Sequence, residues 1–233
     1  MENGMRLSVY KRRKNVRWEA AMDPKHLVIE QMVHEGVNRA YVLHDNKLRA
    51  SIVAEPAGRR ANTNDNTPAV VHVSLVAGNK VEVKIAAKGG GSENKAKLAM
   101  LNPNDSIVDW IIETVPKMGA GWCPPGMLGI GIGGSAEKAM LLAKESLMAP
   151  NNMYELKQKR ASNSIEELSL EILEKVNHLV IRAQGFGVLT TVLDVQIFEY
   201  PTEAASWPVA FSPNCTTTRH IHFKLTARAV AVR

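Results

Sequence analysis

The chain has 233 residues, of which 45% are hydrophobic and 22% are charged. This composition is typical of a globular protein and excludes a disordered chain, a collagen or a coiled coil. No apolar run approaches the roughly 20 residues of a membrane helix, and the basic Met1–Trp18 segment lacks the apolar stretch of a secretory signal. Two cysteines are too few for a disulfide framework, so we expect a cytoplasmic protein.

The net charge of +6 is concentrated near the N-terminus of the sequence. The basic residues there are Arg6, Lys11, Arg12, Arg13, Lys14 and Arg17. Nucleic-acid-binding proteins usually spread basic residues over one face with aromatic residues among them, and aromatic residues make up only 5% of this chain. We therefore interpret this end as a solvated basic segment and expect neither a nucleic acid nor a membrane as partner.

In chain order, the first predicted element is a helix between Lys25 and Tyr41, where apolar residues recur every three to five positions. Two runs from Val70 to Ala87 then alternate apolar and polar residues, with the turn residues Ala77-Gly78-Asn79 between them. This pattern predicts an antiparallel hairpin with one wet face. The segment 88–92, with three consecutive glycines, leads into a loop or short helix that ends near Leu101.

The same signals predict the elements of the second half of the chain. The first is a helix carrying Ile107, Ile111 and Val115, which Asn104 or Asp105 caps. A turn over 119–126, a buried strand over 127–132 and a helix from Ser135 to about Leu147 follow. The last predicted elements are a surface loop over 149–163, a helix after a Ser164–Glu167 capping box, and strands over 192–200, 207–211 and 219–232. This mixture predicts an α+β fold with a largely antiparallel sheet flanked by helices.

Two glycine-rich segments are candidates for anion binding. Lys88-Gly-Gly-Gly-Ser92 precedes Asn94 and Lys95, so backbone N–H groups, an amide and a cation lie close together in the sequence. The second segment, Gly129–Ser135, only superficially matches a dinucleotide loop, because G-x-G-x-x-G is absent in the correct register. We expect no dinucleotide site there, although a helix N-terminus with affinity for a carboxylate is still an open alternative.

Cys123 and Cys215 each lie in a turn next to proline. Two buried thiols are the simplest interpretation. A structural zinc site needs four ligands, and the chain has no Cys-x-x-Cys pair. A site formed by Cys215 with His220 and His222 stays open, although strand alternation would place both histidines on one face. An iron–sulfur cluster held by three thiolates needs one cysteine more than the chain contains.

Four segments together resemble class I fumarase, and specifically the iron–sulfur N-terminal or α-subunit domain of the fumarate and tartrate dehydratase family. They are Lys88–Lys95, Gly121–Gly134, Ala183–Gly185 and Asn214–His220. The resemblance runs from about Arg17 to Phe223. It implies a hydro-lyase that interconverts fumarate and malate, a step of the tricarboxylic acid cycle. It also implies one iron–sulfur hydro-lyase α domain over residues 1–233, without the family's N-terminal segment and its C-terminal or β domain.

The resemblance also implies a cofactor and a set of site residues. In the family, three cysteines hold a [4Fe–4S] cluster whose fourth iron binds the dicarboxylate substrate. Cys123 and Cys215 match the second and third of these metal ligands. The first ligand belongs to a Cys-Gln-Asp-Thr-Gly segment that would fall at Met1 or immediately before it, so the third cysteine ligand is absent from this sequence. Arg49 and Gly91 match substrate-binding residues.

Several catalytic positions depart from the family pattern. Glu2 and Asn3 are the residues nearest to the lost acid of the family. Glu203 replaces a substrate-contacting histidine, and we expect its negative charge to repel a dicarboxylate. The Val180–Val188 segment carries larger residues in place of three glycines, which would strain any position with positive φ. No catalytic residue is therefore assigned, and the base is expected from a β subunit or C-terminal domain in an oligomer.

Three interpretations follow. The first is the α component of an iron–sulfur hydro-lyase that is inactive alone. The second is a non-catalytic, diverged relative that acts as a binding or subunit-assembly module. The third is a truncated sequence, in which an upstream segment restores the missing cysteine.

Overall fold

The computed structural model describes residues 3–10, 29–43, 45, 48–77, 80–150, 152–179, 181, 190–217 and 219–226. Their strands are β1 (Asn3–Tyr10), β2 (Val70–Ala77), β3 (Lys80–Ala87), β4 (Lys97–Met100), β5 (Gly126–Gly133), β6 (Val192–Tyr200), β7 (Pro208–Cys215) and β8 (Arg219–Thr226). Their helices are α1 (Ile29–Val42), α2 (Gly90–Glu93), α3 (Ile107–Lys117), α4 (Ala136–Ser146), α5 (Met153–Gln158) and α6 (Ser164–His178). None of these helices has the length and apolar character needed to traverse a lipid bilayer.

The chain divides into two compact units, each with its own four-stranded sheet. The first unit is Met1–Lys88 with Arg219–Arg233, and the second is Gly89–Thr218. The sheet orders are β2-β1-β3-β8 and β4-β7-β5-β6. In each sheet one neighbouring pair is parallel and the others are antiparallel, so the predicted α+β class is confirmed with sheets that are mixed. A single family domain over residues 1–233 stays a prediction.

The core of the first unit forms where α1 packs on its sheet. Val33, Val37 and Tyr41 recur every four residues, so they share one face of the helix, and all three are buried. They cluster with Val83 and Ile85 of β3. The predicted helix is thus confirmed within the described residues.

The predicted hairpin is correct in its strands and wrong in its pairing. β1 lies between β2 and β3, with Asn3 opposite Ala77 in an antiparallel register and Met5 opposite Val81 in a parallel one. The sequence Asn3–Tyr10 alternates apolar and polar residues, which is a strand signal. Interpreting this end by its charge alone missed that signal.

Opposite faces of β5 have different partners in the second unit. Leu128 and Ile130 are fully buried in a cluster with residues of α3, α6, β6 and β7. Gly129 and Gly131 alternate with them, and a Cβ at either position would overlap a backbone carbonyl oxygen of α4. The glycine run therefore allows α4 to lie directly against the strand backbone.

Element boundaries correct three further predictions. Ser106 caps α3, where its Oγ accepts a hydrogen bond from the Asp109 N–H at 3.1 Å, so neither Asn104 nor Asp105 is the cap. Asn163 caps α6 by accepting from the Glu166 N–H at 2.9 Å, one position before the predicted capping box. The predicted loop at 149–163 contains α5, which Met153 anchors by its burial.

Candidate functional site

The two cysteine loops lie at the same end of the second sheet. β7 ends at Cys215, which is the register partner of Gly126, the first residue of β5. Cys123 precedes Gly126 by three residues, so the chain enters β5 from the Cys123 loop where β7 runs into the Cys215 loop. The antiparallel pairing of β5 with β7 thus brings together two segments that are distant in the sequence.

One hydroxyl group connects the two loops, and a second contacts a cysteine sulfur within its own loop. Thr216 Oγ1 donates a hydrogen bond to the carbonyl oxygen of Pro125 at 2.6 Å. The Cys215 sulfur lies 2.9 Å from Thr217 Oγ1. Neither cysteine is in a disulfide; Cys123 is exposed and Cys215 is half-buried. Both hydroxyl-bearing residues belong to the Cys-Thr-Thr-Thr run, which is the sequence signal for this connection.

The backbone of Cys123 is in the left-handed region, with φ of 59°. Such a conformation is uncommon for a residue other than glycine, and it is found disproportionately at functional sites. Trp122 supports this turn, because its side chain is fully buried and its ring lies so close to Gly126 that a Cβ there would overlap it. The Trp122 indole N–H finds no hydrogen-bond partner among the described residues.

The glycine turn at α2 packs against the Cys123 loop. A Cβ at Gly91 would overlap the carbonyl oxygen of Gly121, so only glycine allows this approach. Lys95 reaches the same place, since a Cβ at Gly121 would lie 3.3 Å from Lys95 Cε. Gly91 is the second residue of α2, where backbone N–H groups have no partner within the helix. This turn offers an N–H group and a cation, which suit an anion.

An ion pair fixes the other side of α2. Lys144 of α4 pairs with Glu93, the last residue of α2, and the Lys144 side chain is mostly buried. The Ser92 hydroxyl donates to the carbonyl oxygen of Gly89 at 2.9 Å. These contacts hold the glycine turn between α4 and the Cys123 loop.

Asp194 is a polar residue at this end of the sheet that sequence reasoning missed. It lies opposite Met127 on β6 and accepts a hydrogen bond from Gln196 Nε2 at 2.8 Å. Burial raises the pKa of Asp194 above its ordinary value, although that hydrogen bond opposes the shift. A carboxylate within the mainly apolar run Val192–Phe198 is the signal that was available.

The structure does not bring Glu203 to the cysteines. Glu203 lies in the loop before Pro208, where its carboxylate accepts the Ala205 N–H at 2.8 Å. β7 spans eight residues from Pro208 to Cys215, which places its two ends roughly 24 Å apart at about 3.4 Å per residue. Glu203 is therefore too far from the cysteines of the same chain to repel a dicarboxylate held beside them.

The remaining predicted positions lie in the first unit or outside the described residues. Arg49 is an exposed residue of the first unit, and no hydrogen bond or ion pair joins its side chain to another described residue. Asn3 is the first residue of β1. Glu2 and most of the Val180–Val188 segment, including Ala183–Gly185, lie outside the described residues.

The donor set for an iron–sulfur cluster is incomplete within this sequence. Cys123 and Cys215 present two thiols at one end of the sheet, which fits two ligand positions. The described part of the chain contains no group of three His, Cys, Asp or Glu side chains able to hold a metal ion. The full sequence has no other cysteine. These residues alone therefore do not complete a three-thiolate site.

Comparison with known proteins identifies relatives along most of the chain. The "Putative L(+)-tartrate dehydratase subunit alpha" of Methanocaldococcus jannaschii is 34% identical over 199 residues, which cover 82% of this chain and 67% of that protein. "Fumarate hydratase 2" of Leishmania major is 31% identical, with 88% and 36% covered. "Fumarate hydratase class I, anaerobic" of Escherichia coli K12 is 27% identical, with 86% and 38% covered. The chain thus spans little more than a third of these two fumarate hydratases.

The family comparison covers the same region. Residues 6–224 match the family described as "Fumarate hydratase (Fumerase)", and these residues include both cysteine loops and the glycine turn. The names of the relatives describe enzymes that add or remove water. The chain therefore belongs to the fumarate hydratase (Fumerase) family of hydro-lyases.

Proposed function

We propose that this chain is the α component of an iron–sulfur-dependent hydro-lyase that interconverts fumarate and malate in the cytoplasm. One observation carries the proposal: Cys123, Cys215 and the Gly91 turn meet at one end of the second sheet. The fold would then be the iron–sulfur hydro-lyase α-domain type. Thiolate ligands persist in a reducing compartment, which supports the cytoplasmic location.

In this proposal the residues of the chain bind and orient the substrate. The Arg49 guanidinium takes one carboxylate of the dicarboxylate through two parallel hydrogen bonds. The Gly91 N–H, at the start of α2, donates to the substrate. A bound [4Fe–4S] cluster supplies Lewis-acid chemistry. Since Cys123 and Cys215 are two ligands of three, the third thiolate comes from outside these 233 residues, and we derive no catalytic step from the two alone.

A partner subunit or domain completes the enzyme in this proposal. The relatives named as fumarate hydratases are more than twice as long as the region that this chain matches. Large apolar side chains stay exposed at the outer strands of both sheets, and surfaces of this kind commonly mark an interface. These residues are Val73, Leu75 and Ile221 in the first unit and Leu98, Met100, Leu193 and Tyr200 in the second. A β subunit or C-terminal domain is the proposed occupant, and it supplies the catalytic base.

Anaerobic reconstitution tests the cluster site directly. The full chain is incubated with ferrous iron, sulfide and a small thiol that supplies the missing ligand, and the visible absorbance of the cluster is measured. We expect the wild-type chain to gain this absorbance, and Cys123→Ser and Cys215→Ser each to lose it. Ser162→Ala is the control, because Ser162 is an exposed residue far along the sequence from both cysteines. Equal absorbance in all four proteins would refute the assignment.

Hydration assays test the reaction. We expect no turnover of fumarate by residues 1–233 alone, even after reconstitution, because one cluster ligand and the base are missing. Fumarate and L(+)-tartrate are compared after addition of a family β subunit and of a Cys-Gln-Asp-Thr-Gly segment. Turnover by the unmodified chain alone, abolished by Cys215→Ser, would contradict the need for these additions.

The second candidate is a non-catalytic relative that acts as a binding or subunit-assembly module. The presence of two cysteines in place of three favours it. Sedimentation of the chain with a family β subunit discriminates the two functions. If the chain forms a stable complex and Cys123→Ser changes neither reconstitution nor turnover, the chain acts only as a subunit-assembly module.

A further inference from the structure

The segment that carries Arg49 is held by a neighbouring loop in the first unit. The backbone of this loop pairs with the segment through an antiparallel bridge between Val53 and Asn62. The Ala54 N–H donates to the Ala61 carbonyl oxygen at 2.7 Å, and the Thr63 N–H donates to the Ile52 carbonyl oxygen at 2.9 Å. Backbone pairing with this loop therefore reaches Ile52.

Two asparagine side chains continue this ladder toward Arg49. Asn62 Nδ2 donates to the Ala50 carbonyl oxygen at 3.1 Å. Asn66 Oδ1 accepts the Ser51 N–H at 3.0 Å. The two residues that follow Arg49 are thus each fixed by an asparagine, one at its carbonyl group and one at its amide group.

The setting of Asn66 is specific for asparagine. Its side chain is fully buried, and its backbone has φ of 60°, which asparagine tolerates better than most residues with a Cβ. A buried amide that accepts a backbone N–H is costly to replace by an apolar group, because the N–H is left without a partner. Asn64 has φ of 62° in the same loop but is exposed, so it shares the backbone strain without the burial.

Asp65 fixes the same loop to α1. Its carboxylate accepts hydrogen bonds from the Thr67 N–H at 2.9 Å, from the Thr67 hydroxyl at 2.8 Å and from Asn38 Nδ2 at 2.8 Å. Burial raises the pKa of Asp65, but these bonds outweigh that effect and lower it to about 2. The carboxylate is therefore ionised at neutral pH, and continuous contacts run from α1 through Asn38, Asp65 and Asn66 to Ser51.

We propose that Asn62 and Asn66 are positioning residues for Arg49. They fix the peptide groups of Ala50 and Ser51, and these bonds set the position of the backbone from which the Arg49 side chain extends. The inference rests on the proposed role of Arg49 in binding a substrate carboxylate. A small misplacement of such a group weakens the oriented contact with its ligand.

Dicarboxylate binding by the full chain tests the functional part, with L-malate as the probe in titration calorimetry. We expect Asn66→Leu to weaken binding about tenfold, which corresponds to about 1.4 kcal/mol. Asn62→Leu, at an exposed position, removes only the bond to the Ala50 carbonyl and should weaken binding in the same direction. Asn64→Leu, which strains the loop without removing a bond to the segment, should change affinity less than twofold. In an Arg49→Ala background, Asn66→Leu should have no further effect; an independent, additive loss would overturn the proposal.

Hydrogen exchange gives a readout that does not depend on malate binding. We expect the Ser51 amide to exchange at least tenfold faster in Asn66→Leu and at the wild-type rate in Asn64→Leu. An unchanged Ser51 rate in Asn66→Leu would overturn the positioning inference. If the wild-type chain and its reconstituted form both bind no malate while the Ser51 rate rises as expected, the role of Arg49 in the proposed function fails and the positioning of its segment stands.

Discussion

The Thr216 hydroxyl donates a hydrogen bond to the carbonyl oxygen of Pro125, at 2.6 Å. This bond joins the residue after Cys215 to the second residue after Cys123. Because the two loops lie far apart in the sequence, their relative position depends on such contacts as well as on the pairing of β5 with β7. The bond therefore provides a way to disturb the thiol pair without altering either cysteine.

We expect Thr216→Val to lower the free energy of unfolding by about 1 kcal/mol, the usual net value of one hydrogen bond. It should also weaken capture of phenylarsine oxide, a reagent that bridges two nearby thiols. Thr114→Val is the matched control, because the Thr114 hydroxyl also donates to a backbone carbonyl at 2.6 Å but lies on α3. Urea unfolding and reagent titration check both effects. Equal reagent binding by the two variants would contradict a connection between the loops.

Gly91→Ala should displace α2 from the Cys123 loop, since the added Cβ would overlap the carbonyl oxygen of Gly121. Overpacking of this kind typically costs about 1–3 kcal/mol. We expect a matching drop in the urea midpoint and a change in the alkylation rate of Cys123. Gly89→Ala is the control, because its Cβ would meet only Ser92 Oγ, at 3.8 Å. The interpretation fails if Gly89→Ala and Gly91→Ala are equally stable.

Gly131→Ala tests the direct packing of α4 on β5. A Cβ there would overlap the carbonyl oxygen of Ala139 and crowd the Ala143 backbone, so the helix would have to move away from the sheet. We expect a loss of about 3 kcal/mol or failure to fold, the upper end of overpacking costs. In Gly121→Ala the nearest atom belongs to the flexible end of Lys95, so this control should lose much less. Thermal unfolding distinguishes the two outcomes.

Asp194→Asn should stabilise the protein at neutral pH. Burial raises the pKa of Asp194 in the folded state, so the folded protein holds this proton more tightly than the unfolded chain does. The wild-type protein therefore loses stability as pH rises through that pKa, and the neutral asparagine avoids the loss. We expect the difference in unfolding free energy to vanish below about pH 4, where the aspartate is protonated in both states. Glu199→Gln, on the same strand and exposed, is the control.

Local patterns predicted most of the elements because their signals lie within a few residues. Alternation located β2 and β3, and the three- to four-residue spacing of apolar residues located α3 and α6. Pairing depends on distant segments, so the insertion of β1 between β2 and β3 was not foreseen. A six-residue helix such as α5 has too few turns for a clear period, and its burial rests on Met153.

The site shows the same division. Sequence resemblance singled out Cys123, Cys215 and Gly91, which the fold places at one end of a sheet. The resemblance also singled out Glu203. A residue-by-residue match with the family does not reveal that Glu203 precedes β7, whose eight extended residues separate it from Cys215. The contact of Thr216 with Pro125 and the position of Asp194 opposite Met127 arise from cross-strand register, which spacing along the chain does not contain.

Ala87 of β3 and Arg219 of β8 are register partners, although residues 88–218 lie between them. The chain therefore leaves the first sheet and returns to it at neighbouring backbone positions, as in a protein with one module inserted into another. A two-residue Asn-Gly turn is long enough to join such partners as a hairpin. The second unit thus has the connectivity of an inserted domain. Replacing it by that turn would leave the first unit as one continuous chain.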